Sequence, residues 1–226
     1  MNKYLKDPIS GFIHSIGAIL SIVALVLLIV KAVNPVDPWK IVSFSIFGTA
    51  LFLLYTASTL YHWISVSGRT ESILKRFDQM MIYVLIAATY TPFCLIPLRG
   101  PWGWSLFGVI WGLAVFGILW KLFQFKFPNW FSTVYYLFMG WLAVIAIFPL
   151  LANLQAGALI WLFLGGIFYT GGVIFFIIDR QESPRKGFGY HEIWHLMVIA
   201  GSFSHFWVVY KYCFLYTSDA ADEGLG

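Results

Sequence analysis

Three histidines, an aspartate and a serine in this chain have the types and spacings that can hold a metal and act around it. His191 and His195, in the stretch Tyr190 to Phe206 (YHEIWHLMVIAGSFSHF), stand four residues apart at the start of an otherwise apolar segment. On a helix that spacing puts both imidazoles on one face, one above the other, as a two-ligand clamp in need of partners. Ser58 and His62, also four apart, lie at the end of an earlier apolar segment, and Asp78 begins the next. Ionisable groups in such segments are costly and invite a functional reading. Three imidazoles supply three of the four positions of a catalytic zinc site, with Zn–N bonds of about 2 Å, and leave one for water. Zinc would lower the pKa of that water to about 7, making hydroxide available at neutral pH. Asp78 is then placed to accept or orient the proton, and Ser58 to hydrogen-bond to the water or to a reacting oxyanion.

Each residue also has a plainer explanation. Asp78 at a helix start favours the macrodipole, Ser58 suits helix packing, and His62 between Tyr61 and Trp63 suits an aromatic belt. Convergence at one depth favours the metal, because these explanations share no reason to place three histidines and an acid together. His205 lies ten residues beyond His195, so about 15 Å further along a helix, and is read as a satisfied core histidine that cannot share the ion. His14, at the matching end of the first apolar segment but without a spaced partner, is read as supporting the site from outside or packing helices. HEIWH also matches the HExxH signature of zinc proteases, with Glu192 as general base. No further ligand follows on that segment, and no Asp-Gly motif elsewhere completes an intramembrane protease site. Glu192 is therefore expected to be a helix-start acid beside the site.

Composition says what must position these residues. The 226 residues are 60% hydrophobic, 20% aromatic and 11% charged, with a mean hydropathy of +0.81, far from soluble globular composition. An all-α integral membrane protein follows, with the lipid bilayer as its surroundings. The net charge of +4 does not indicate nucleic acid, because the basic residues are spread through short connectors. Cys94 and Cys213 have no CxxC spacing and support neither a disulfide framework nor a thiolate metal site.

The spacing of apolar runs and breakers predicts one seven-helix domain over residues 1–212. The helices are expected at about 11–33, 39–64, 77–96, 102–123, 130–149, 157–178 and 190–212, each near the 20 residues a bilayer core requires. Ser10 is expected to cap the first, whose length exceeds the apolar core of a cleavable signal peptide. Asp37 and Pro38 are expected to cap and begin the second. Ser65 to Arg76 reads as a polar, basic linker, and Thr91-Pro92 as a bend. Ten basic residues (Lys3, Lys6, Arg69, Lys75, Arg76, Lys121, Lys126, Arg180, Arg185, Lys186) fall on the side of the amino terminus and four (Lys31, Lys40, Arg99, Lys211) on the other. The positive-inside rule then puts the amino terminus in the cytoplasm and the carboxy terminus outside. On this topology Ser58, His62, Asp78, His191 and His195 share a depth near the cytoplasmic face.

Ser58-Thr-Leu-Tyr-His62, Arg76-Phe-Asp78, His191-Glu-Ile-Trp-His195 and Ser204-His205-Phe206, in that order, resemble the bacterial haemolysin III branch of the progestin and adiponectin receptor family. The resemblance runs from His14 to about Tyr212. It implies a seven-helix fold in the bacterial plasma membrane, with zinc near the cytoplasmic face. The ligands would be His62, His191 and His195, with Asp78 holding the water and Ser58 beside it. A relation to alkaline ceramidases further implies hydrolysis of an amide bond in a membrane lipid, and that activity is the leading expectation. A membrane sensor or regulator with structural zinc, and a pore-forming cytolysin, are the alternatives. The spans lack the recurrent polar stripe of a water-filled channel, which counts against the last. The end of the chain departs from the pattern. LYTSDAADEGLG, from Leu215, resembles the translation of a sequencing adapter, so residues 213–226 are expected to be a tail of non-native origin.

Overall fold

A computed structural model describes residues 5–128, 130–181 and 187–215. The described residues form an all-helical bundle: α1 (Pro8–Ala32), α2 (Pro38–Trp63), α3 (Arg69–Leu95), α4 (Pro101–Phe123), α5 (Phe131–Trp141), α6 (Ile147–Asn153), α7 (Ala156–Gln181) and α8 (Tyr190–Lys211). A 3-10 stretch, Leu142–Ala146, joins α5 to α6, so eight helices make seven passes, in agreement with the expected count. Six of the passes are long and apolar enough to cross a membrane. The exception is α3, whose first turns carry Arg69, Glu71, Lys75, Arg76 and Asp78.

The outward surface is built for lipid. Phe12, Ile19, Val30, Leu53, Phe123, Phe148 and Ile160 are all exposed, and a continuous apolar exterior is what a bilayer, not water, rewards. The polar and small residues face inward instead. On α1 the buried stripe is Ser10, Gly11, His14, Gly17 and Ser21, a three-to-four-residue repeat that lets neighbouring helices approach closely. Gly17 lies directly under Tyr55 of α2, where a Cβ would come 2.8 Å from Cδ1 of the ring. Consecutive helices α1 to α4 pack in series, α7 packs on α8, and α8 closes back on α1. That closure brings the start of α8 beside the end of α2.

Several local expectations change. Asp37 caps α2 as expected, accepting from the amides of Trp39 at 3.0 Å and Lys40 at 3.2 Å, with Pro38 following. Ser10 caps nothing: α1 begins at Pro8, and Ser10 lies inside it. The linker expected over Ser65 to Arg76 is largely helix, because α3 begins at Arg69, after Gly68 with a φ of 65°. Glu, Lys and Arg are good helix formers, and their polarity there reflects a helix projecting past the apolar layer rather than a loop. Asp78 is therefore in the third turn of α3, not its first.

The pass expected at 130–149 runs to Asn153 and is interrupted. The Tyr90 hydroxyl of α3 accepts the amide of Ala143 at 2.9 Å and lies 2.8 and 2.7 Å from the carbonyls of Met139 and Gly140. A side chain inserted into the ladder breaks the helix there.

At the opposite end of the bundle from the histidines, two lysines hold the end of α8. Lys31 of α1 donates to the carbonyl of Tyr210 at 3.3 Å, and Lys40 of α2 to that of Phe214 at 3.0 Å. Cys213 is fully buried, so packing continues one or two residues past Tyr212. Of the expected tail, residues 216–226 lie outside the described residues, as do Lys3, Arg185 and Lys186 of the charge count.

Candidate metal centre

His62 on the last turn of α2 and His191 and His195 on the first turns of α8 come together as the spacing predicts. One ring nitrogen from each lies within 4.8 Å of the others, and the ring centroids are 4.7 to 5.1 Å apart. His195 is completely buried and His62 nearly so. Nε2 of His191 and Nε2 of His195 are buried without a hydrogen-bond partner among the described residues. Buried imidazole nitrogens are ordinarily satisfied, so a cluster of three converging rings with orphaned nitrogens fits a ligand set.

Asp78 is beside this cluster and outside it. Its polar neighbours include Ser58 and His62, and it is not among the three residues whose donor atoms converge. The three imidazoles thus form the cluster, and the Asp78 carboxylate and Ser58 hydroxyl lie next to it. Glu192, expected as a helix-start acid, accepts from the amide of Gly189 at 2.8 Å, the acid half of a capping box. Its other oxygen accepts from Ser10 at 2.6 Å. That bond ties α1 to the first turn of α8, where His191 also stands.

His14 stacks on His195, with centroids 3.8 Å apart and planes 18° apart, and meets Tyr55 edge-on at 5.0 Å. Below it, the Tyr55 hydroxyl donates to Ser202 Oγ at 2.7 Å, and the Tyr169 hydroxyl lies 2.8 Å from Ser202 Oγ. His205 is remote from the centre, and its Nε2 is 3.3 Å from the carbonyl of Leu162.

Two residues that the sequence reading did not place at the site also touch it. Nδ1 of His62 is 3.2 Å from Oδ2 of Asp7, and Nδ1 of His191 is 3.2 Å from Oδ2 of Asp179. The hydrogen bond with His62 holds the Asp7 carboxyl below its ordinary value, against partial burial, which pushes the other way. Asp179 could have been flagged: an acid in the last turn of a helix opposes the macrodipole and calls for another partner. Asp7 gave no such signal, since Asp before Pro reads as an ordinary helix start.

Fold and centre together define an integral membrane helical bundle carrying a three-histidine site that can hold a metal ion. The sequence profile of the family described as Haemolysin-III related matches residues 2–206. The chain is 47% identical to the Hemolysin-3 homolog of Bacillus subtilis over 92% of its own length and 95% of the relative's. It is 43% identical to Hemolysin-3 of Bacillus cereus, over 94% of each. A more distant similarity, 28% identity over 81% of this chain and 75% of the relative, is to the human Monocyte to macrophage differentiation factor. The chain belongs to the haemolysin-III related family, a branch of the progestin and adiponectin receptor family.

Proposed function

We propose that this protein is a zinc-dependent hydrolase of an amide bond in a membrane lipid, with its amino terminus in the cytoplasm. The observation that carries the reading is the convergence of His62, His191 and His195, with Asp78 and Ser58 beside His62, inside a bundle surrounded by lipid. Three neutral imidazoles suit zinc and leave a coordination position free. When bound, zinc would polarise the substrate carbonyl and lower the pKa of a water. Asp78 would take the proton from the attacking water and return it to the leaving amine as the C–N bond breaks. Ser58 would donate a hydrogen bond to the oxyanion that develops on the carbonyl oxygen. The products would be a fatty acid and an amine. Amide hydrolysis rather than another lipid reaction rests on the relation to alkaline ceramidases.

The test has two parts. Purified protein should contain about one zinc per chain, lost in the His62→Ala, His191→Ala, His195→Ala variant; a metal-free wild type, or a variant that keeps its zinc, would sink the site. Zinc-loaded Asp78→Asn should then turn over ceramide at least ~100-fold more slowly than wild type, and unchanged turnover would remove Asp78 as the base.

A second reading, a membrane sensor with structural zinc, is favoured by the sparse direct packing between α2 and α8, which a shared ion would tie together. It predicts that chelation lowers thermal stability while intact protein hydrolyses no lipid.

A further inference from the structure

We infer that Asp7 and Asp179 are positioning residues of the metal centre, a pair of carboxylates that fix the Nδ1–H tautomers of His62 and His191 and aim their Nε2 atoms inward. The inference rests on the reading of the three histidines as ligands. A carboxylate can only accept, so each 3.2 Å contact places the hydrogen on Nδ1 and leaves Nε2 as the lone-pair donor. Nε2 of His191 has no hydrogen-bond partner among the described residues, as an atom reserved for a metal would not. Among the described residues His195 has no such carboxylate; its ring stacks on His14.

Neither aspartate belongs to a helix that carries a ligand. Asp179 stands in the last turn of α7, across the connector from His191. Asp7 stands just before α1, in a short extended segment laid over the end of α2. There the amide of Asp7 donates to the carbonyl of His62 at 2.8 Å, and that of Lys6 to the carbonyl of Trp63 at 3.4 Å. Trp63 Nε1 donates in turn to the carbonyl of Pro8 at 3.2 Å, and Lys6 pairs with Glu71 of α3 at 2.7 Å. Asp7 therefore grips His62 twice, at the backbone carbonyl through its amide and at the ring through its carboxylate. The first contact satisfies a helix-end carbonyl that has no partner within α2. The second gains nothing for the helix and acts only on the orientation of the ring.

The experiment measures metal, not turnover. Zinc affinity is read by competition with a chromogenic chelator, and ligand geometry by the visible spectrum of cobalt-substituted protein. Asp7→Ala and Asp179→Ala should each weaken zinc by ~10–100-fold and shift the cobalt bands. Asp7→Asn and Asp179→Asn, which keep an acceptor and the side-chain shape, should show a smaller weakening in the same direction, and they carry the test if the alanine variants do not accumulate. Lys6→Ala loosens the same segment without touching the carboxylate and should leave the cobalt spectrum unchanged. Wild-type affinity and spectrum in both aspartate variants would overturn the inference while leaving the metal centre standing. So would equal losses in Lys6→Ala and Asp7→Ala. A wild type that binds no divalent metal would overturn both.

Discussion

Gly17 is the residue on which the inner support of the site depends. Tyr55 lies on it, His14 meets Tyr55 edge-on, and His195 stacks on His14. A methyl group at position 17 would meet the Tyr55 ring at 2.8 Å, well inside normal contact. Gly17→Ala should therefore cost about 1–3 kcal/mol through overpacking, seen as a lower unfolding temperature. Tyr55→Phe, which removes only the hydroxyl bonded to Ser202, should cost less, about 0.6 kcal/mol by the usual worth of such bonds in membranes. A Gly17→Ala protein as stable as wild type would mean that Tyr55 has room to move. At this scale the pairing of His191 with His195 was legible because four-residue spacing on a helix leaves few alternatives. Asp7 was not, because its role depends on where an extended segment lands, and no periodicity reports that.

At the scale of the element, Tyr90 interrupts the pass from Phe131 to Asn153, and charged helix formers let α3 start early, at Arg69. Tyr90→Phe would strand a buried amide and a carbonyl at the break, an expected loss of about 1–3 kcal/mol. Asp37→Ala should cost about 1 kcal/mol by removing the α2 cap. That variant should keep its full zinc content, since Asp37 is at the end of α2 opposite His62; lost zinc would show that the two ends of α2 are coupled. Helix existence could be read from apolar runs of about 20 residues. The boundaries near Arg69 and Leu142 could not, because a polar helix outside the apolar layer resembles a linker, and a hydroxyl from another helix leaves no mark on the local pattern.

For the molecule as a whole, the charge count predicts which side of the membrane each connector faces. A single cysteine placed at Gly68 should be protected from a membrane-impermeant thiol reagent added to intact cells, and one placed at Asn34 should react. Cys94 and Cys213 are buried and give little background. The reverse pattern would invert the topology and move the histidine site to the outer face. The bundle itself was legible from hydropathy alone, whereas the closure of α8 onto α1 was not, since it joins the two ends of the chain through contacts that no local pattern encodes.

The lysine contacts at the far end of α8 give that closure a further meaning. Lys31 and Lys40 fasten one end of the helix, and Glu192, held by Ser10, fastens the other. Between them the 22 residues of α8 span about 33 Å at 1.5 Å per residue, comparable with the apolar thickness of a bilayer. The helix thus behaves as a gauge rod whose length sets how deep His191 and His195 sit. One residue inserted between Leu196 and Val209 would advance the rod by about 1.5 Å and turn it by about 100°. Both fastenings could not then be kept with the two imidazoles still facing His62.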